Sequence, residues 1–84
     1  MHRREYKRQD DRLNRDYVKL MGSLSAARRE ALLEAQREWI RFRDANCRFY
    51  YDPDGGSAAR LDASACRLKA TADRAQELEQ FIDR

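Results

Sequence analysis

The sequence is poor in residues that break or branch a helix. It holds three glycines and one proline, and all of these except Gly22 fall between Pro53 and Gly56. Only Val18, Ile40, Thr71 and Ile82 are β-branched, which excludes a sheet protein, since strands draw on branched and aromatic side chains. No apolar run approaches the roughly 18–20 residues that cross a bilayer. No apolar segment follows the charged start Met1-His2-Arg3-Arg4, so a signal peptide is not read there. The one histidine, His2, stands at a terminus expected to fray and makes a poor general base. No serine has a nucleophile-elbow context and no glycine-rich phosphate loop precedes a helix. Cys47 and Cys66 are the only cysteines, with no CxxC spacing and no histidine nearby, too few ligands for zinc. Neither an enzyme, nor a cofactor, nor a metal centre is expected.

What is present points one way. Ala, Glu, Lys, Leu and Arg supply 44 of the 84 residues, the composition of long helices. The length suits one small domain over residues 1–84, and a domain of that size buries only about 60–65% of its unfolded surface, so a staple would help. A disulfide closing a loop of about 20 residues contributes roughly 3 kcal/mol. Two reduced cysteines acting as small core residues are the equal alternative at this point.

Periodicity places three helices. The first runs from about Arg3 to Met21, with Tyr6, Leu13, Tyr17, Leu20 and Leu24 at helical spacing and Asp10 interrupting the stripe. Gly22 is placed to cap it in a left-handed conformation, and Ser23 or Ser25 to start the next helix. The second spans about Ala26 to Tyr50, with Leu32, Ala35, Trp39, Phe42 and Phe49 as the inner stripe and Leu33, Ile40 and Cys47 beside it. Glu30, Glu34 and Glu38 alternate with Arg37 and Arg41 on the outside. Tyr51-Asp52-Pro53-Asp54-Gly55-Gly56-Ser57 is a dense run of breakers and reads as a loop. The third runs from about Ala58 to Ile82, with Leu61, Ala65, Leu68, Ala72, Ala75, Leu78 and Ile82 inward, its alanines inviting close approach of the helix that carries Trp39 and Phe42. Short connections favour antiparallel neighbours, so the expected fold is all-α, a helical hairpin plus a third helix.

Few residues suggest chemistry. Asp52-Pro53-Asp54-Gly55-Gly56 lacks the calcium-loop spacing, because the glycines come too early and Ala63 stands where a glutamate is needed. Arg3, Arg4, Lys7, Arg8, Arg12 and Arg15 could meet phosphates, but Glu5, Asp10, Asp11 and Asp16 are interleaved, and a solvated helix face explains them better than nucleic-acid binding. Asn14, Gln36, Arg43 and Asp44 lie beside the apolar stripes and are expected to hydrogen-bond between helices and fix their register.

Taken together, Leu13-Asn14, Tyr17, Leu20, the run Ala35-Gln36-Arg37-Glu38-Trp39-Ile40-Arg41-Phe42-Arg43-Asp44 with Cys47, the Gly55-Gly56-Ser57 loop, and Cys66, Thr71, Arg74 and Leu78 resemble the bacterial LprI-like family of lysozyme inhibitors. The resemblance covers nearly the whole chain from Glu5 onward. It implies a small helical domain of the bacterial envelope, exported or held as a lipoprotein, and in an oxidising compartment a Cys47–Cys66 disulfide. Two features depart from the family: members commonly carry a further cysteine near the position of Met1 and His2, and an export signal.

The implied partner is a protein, lysozyme first, met without catalysis. The exposed loop supplies the expected contacts, Tyr50, Tyr51, Asp52 and Asp54, since aromatic anchors dominate protein interfaces. A helical interaction or structural module with another envelope partner is the alternative, and a basic nucleic-acid-associated protein ranks below both.

Overall fold

The computed structural model describes residues 3–82, so His2 and the position before it lie outside the described residues. Three helices form: α1 (Arg3–Ser23), α2 (Ala26–Phe49) and α3 (Gly56–Ile82). Among the described residues there is no strand.

The punctuation is local and specific. Gly22 does not end α1 in a left-handed cap; the helix runs through it to Ser23, whose hydroxyl donates to Leu20 O at 2.8 Å. Arg29 Nε donates back across the corner to Met21 O at 3.1 Å, giving the last turn a cationic cap. Ser25 takes the extended conformation of an N-cap and its side chain accepts from Arg28 N. At the other end, Asp52 Oδ1 accepts from Asp54 N and Asp52 O accepts from Gly55 N, both at 2.9 Å, so Asp52-Pro53-Asp54-Gly55 is a tight turn with proline at its second place. A side chain at Gly55 would put its Cβ 2.8 Å from that of Ala59, and Gly56 opens α3 with φ at 61°. Both positions therefore need glycine, and α3 starts two residues earlier than the sequence suggests.

α3 lies between the other two helices and packs against both, most extensively against α1, while α1 and α2 scarcely touch. The molecule is correspondingly thin, with principal extents of 47, 22 and 15 Å. The Leu24–Ser25 corner sits beside Leu78 and Phe81 near the end of α3, and α2 runs back along α3 so that Gln36 meets Arg74 and Cys47 meets Cys66. Chain order is thus up, down, up. The apolar core is Leu13, Leu20, Ala75 and Leu78, with Tyr17, Leu24, Leu32, Trp39 and Ile82 packed around it. Ala75 leaves the room that Leu13 and Leu20 need, so the small residues of α3 serve α1 as well as α2.

Two expected inner faces are corrected. On α2, Ala35, Phe42 and Phe49 are exposed, whereas Gln36, Arg43 and Cys47 are buried. On α3, Leu61 and Ala65 are exposed, and Ala59 and Thr71 are buried instead. The reason is covalent: Cys47 and Cys66 are disulfide-bonded with their Cα atoms 5.5 Å apart. That bond turns the Cys47 side of α2 towards α3 and carries Phe42 and Phe49 away from it.

Reduction of this bond is expected to cost about 3 kcal/mol and to lower the melting temperature by roughly 10–20 °C. Thermal melts with and without reductant measure it, and an unchanged midpoint with both thiols titrating would contradict the assignment.

Candidate functional site

Two groups of residues stand out, one inside the α2–α3 seam and one at its open end. The seam is built on Trp39. The Arg43 guanidinium carbon lies 5.1 Å from the centre of the indole and that of Arg74 lies 5.9 Å away. Arg74 Nε donates to Gln36 Oε1 at 3.0 Å, and its Nη1 pairs with Glu77. Arg43 pairs with Asp44 at 3.0 Å, and Arg67 of α3 reaches the same carboxylate at 3.4 Å. Two helices are therefore joined by planar cations on an aromatic face and by charge-assisted hydrogen bonds.

This cluster gathers Gln36, Trp39, Arg43, Asp44 and Arg74 from the residues singled out in the sequence. Tyr17 lies apart, half-buried against the α1–α3 core. Thr71 is fully buried on α3, its hydroxyl without a protein hydrogen-bond partner. Asn14 corrects the expectation of an interhelical bond: it is exposed, because one helical step beyond Leu13 turns it about 100° from the packed face.

At the open end, α2 gives way to the turn and the apolar surface is uncovered. Phe49 is 84% exposed and Phe42 66% exposed, more than any core role allows. Tyr50, Tyr51 and Leu61 are exposed with them, and the Phe49 and Tyr50 rings meet edge to face with centroids 6.1 Å apart. Asp52 and Asp54 are exposed on the adjoining turn. A shallow groove of about 530 Å³ begins at Tyr50 and continues past the disulfide along Asp62, Ala65, Lys69 and Asp73. Asp73 accepts from Lys69 Nζ at 2.8 Å, and this bond raises the Lys69 pKa. Tyr50, Tyr51, Asp52 and Asp54, the contacts expected from the sequence, are thus all exposed at this end, and the structure adds Phe42, Phe49, Asp62 and Asp73, which the sequence pattern does not single out as contacts. Hydrophobicity alone places the phenylalanines on a core face, and the two aspartates share a groove with Tyr50 only once Cys47–Cys66 fixes the register.

The basic run on α1 is partly neutralised by its own helix and by α3. Lys7 pairs with Asp11, Arg8 with Glu5, and Arg12 with Glu79 at 2.7 Å. Among the described residues no group of acidic, histidine or cysteine side chains is arranged to hold a metal. No described helix is long and apolar enough to cross a membrane.

If the seam depends on the indole, Trp39→Ala should cost about 2–4 kcal/mol, somewhat below a fully buried tryptophan because the ring is half-buried. Denaturant melts of the oxidised variant check this, and a midpoint equal to the parent would contradict it.

An uncharacterized protein of Rhizobium meliloti (strain 1021) is 28% identical over 93 residues, an alignment covering 94% of this chain and 67% of that protein. No solved structure matches the chain. The family model described as lysozyme inhibitor LprI matches residues 1–78, which takes in α1, α2, the disulfide and α3 as far as Leu78. A match of that extent shows that the chain belongs to the LprI lysozyme inhibitor family.

Proposed function

We propose that the protein is a non-catalytic binder of lysozyme in the bacterial envelope, and that it engages its target through the open end of the α2–α3 seam. The observation that carries the reading is the uncovered group Phe49, Tyr50 and Tyr51 set beside Asp52, Asp54 and Asp62. Aromatic side chains supply large contact area at low entropic cost and form most interface hot spots. Lysozymes of the common type are strongly basic, so the carboxylates complement them locally. The Asp52–Gly55 turn is narrow enough to enter a cleft, and inhibition follows from occupying the space that the polysaccharide needs. Membership of the lysozyme inhibitor family supports the target; the geometry supports the surface.

One observation favours a second reading. The chain carries a net charge of +3, which repels a basic partner at long range and suits an acidic one. On that reading the same aromatic surface serves a helical interaction module with a different envelope protein.

Calorimetric titration into c-type, g-type and i-type lysozymes, beside a cell-wall lysis assay, separates the two. Binding at micromolar affinity or tighter with loss of lysis is expected for at least one type. Tyr50→Ala, at an exposed position that leaves the fold intact, should weaken binding by about tenfold to a hundredfold. No binding to any type would overturn the lysozyme reading in favour of the second. Full binding by the Tyr50→Ala and Asp52→Lys variants would place the contact elsewhere.

A further inference from the structure

The far end of the molecule has a second unfilled feature, independent of the lysozyme reading. Where α1 and α2 diverge from the Leu24–Ser25 corner, a cleft of about 430 Å³ opens over the end of α3, within the roughly 300–1,000 Å³ typical of small-molecule sites. Its walls are Leu20, Leu24, Leu32, Leu78 and Phe81. Leu20 and Leu78 are also core residues, so the cleft is the hydrophobic core continued outward and left open to solvent. Its polar lining is cationic, Arg28 from α2 and Arg74 from α3, and among the described residues no acidic side chain lines it. Arg74 is already engaged by Gln36, Glu77 and the Trp39 ring. Arg28, exposed on the first turn of α2, is the cation facing incoming ligand.

We propose that this cleft binds a single-chain fatty acid, the alkyl tail lying among the leucines and the carboxylate meeting Arg28. The pairing of an apolar trough with a cation at its edge fits an anionic amphiphile and rejects a cationic one. A second copy of the chain is a poor occupant, because each copy carries the same positive net charge. The tail would cover apolar area that α1 and α2 leave exposed by scarcely touching.

The test is calorimetry of the oxidised full chain with sodium dodecanoate below its micelle concentration, alongside decanoate and dodecyltrimethylammonium. Saturable one-to-one binding of dodecanoate is expected, with decanoate about tenfold weaker for the loss of two buried methylenes. Arg28→Glu should weaken dodecanoate by about tenfold or more, and Ala31→Trp, which places a ring in the cleft from an exposed position, should abolish binding. Melting curves of both variants within a few degrees of the parent would show that they are folded. Equal binding of the cationic detergent would overturn the proposal, as would undiminished binding by Ala31→Trp. Sedimentation of the protein with phosphatidylglycerol vesicles, without any uptake of monomeric dodecanoate, would also overturn it and assign the affinity to the basic face of α1.

Discussion

The bond between Cys47 and Cys66 is the constraint on which the rest of the structure depends, because the interface it closes is polar. The apolar core is assembled mainly by α1 and α3. α2 adds Leu32 and Trp39 to that core and otherwise turns Gln36, Arg43 and Cys47 inward. Burying an amide and a guanidinium is unfavourable unless each finds partners. Here they find them in Arg74, Asp44 and the Trp39 ring. Such contacts are specific in geometry but weak in net free energy. A covalent link between the helices, which restricts the unfolded chain, makes the arrangement persist.

The same constraint explains the exposed aromatic surface. Once the disulfide side of α2 faces α3, Phe42 and Phe49 have nowhere to go but outward, and Tyr50 and Tyr51 follow them into the turn. A monomer of this size rarely leaves a large apolar group uncovered without a use for it. The turn is pinned by Asp52, Gly55 and Gly56, so the aromatic group is presented on a defined frame, which lowers the entropic cost of the proposed contact. At the opposite end, α3 is too narrow to fill the angle between α1 and α2, and an apolar cleft is left there. A thin three-helix fold with one small core thus carries uncovered apolar surface at both ends.

Much of this was legible in the sequence. The scarcity of glycine, proline and branched residues gave the three helices, and the clustered breakers gave the turn. The packed face of α2 was not legible from its apolar residues, because counting Leu32, Ala35, Trp39, Phe42 and Phe49 follows hydrophobicity, whereas the seam is chosen by pairing chemistry. Leu32, Gln36, Trp39, Arg43 and Cys47 are spaced by three or four residues and form one clean helical face. Stepping backwards from Cys47 reaches it directly, and those residues lie in or beside the run that carries the family resemblance. Leu61 failed for a related reason: Ala59 lies two helical turns before Cys66 on the same face and is buried, whereas Leu61 is turned away from that face and exposed. Gly22 failed because Ser23 and Arg29 satisfy the carbonyls that a left-handed glycine would otherwise serve.

The most direct test of the account is amide hydrogen exchange, followed by mass spectrometry, on the oxidised and the reduced protein. If the disulfide holds a polar seam against α3 while the core holds α1, reduction will remove protection selectively from residues 36–62. The segments around Leu13–Leu20 and Ala75–Leu78 will keep most of theirs. Uniform loss of protection along the chain, or no change at all on reduction, would contradict it.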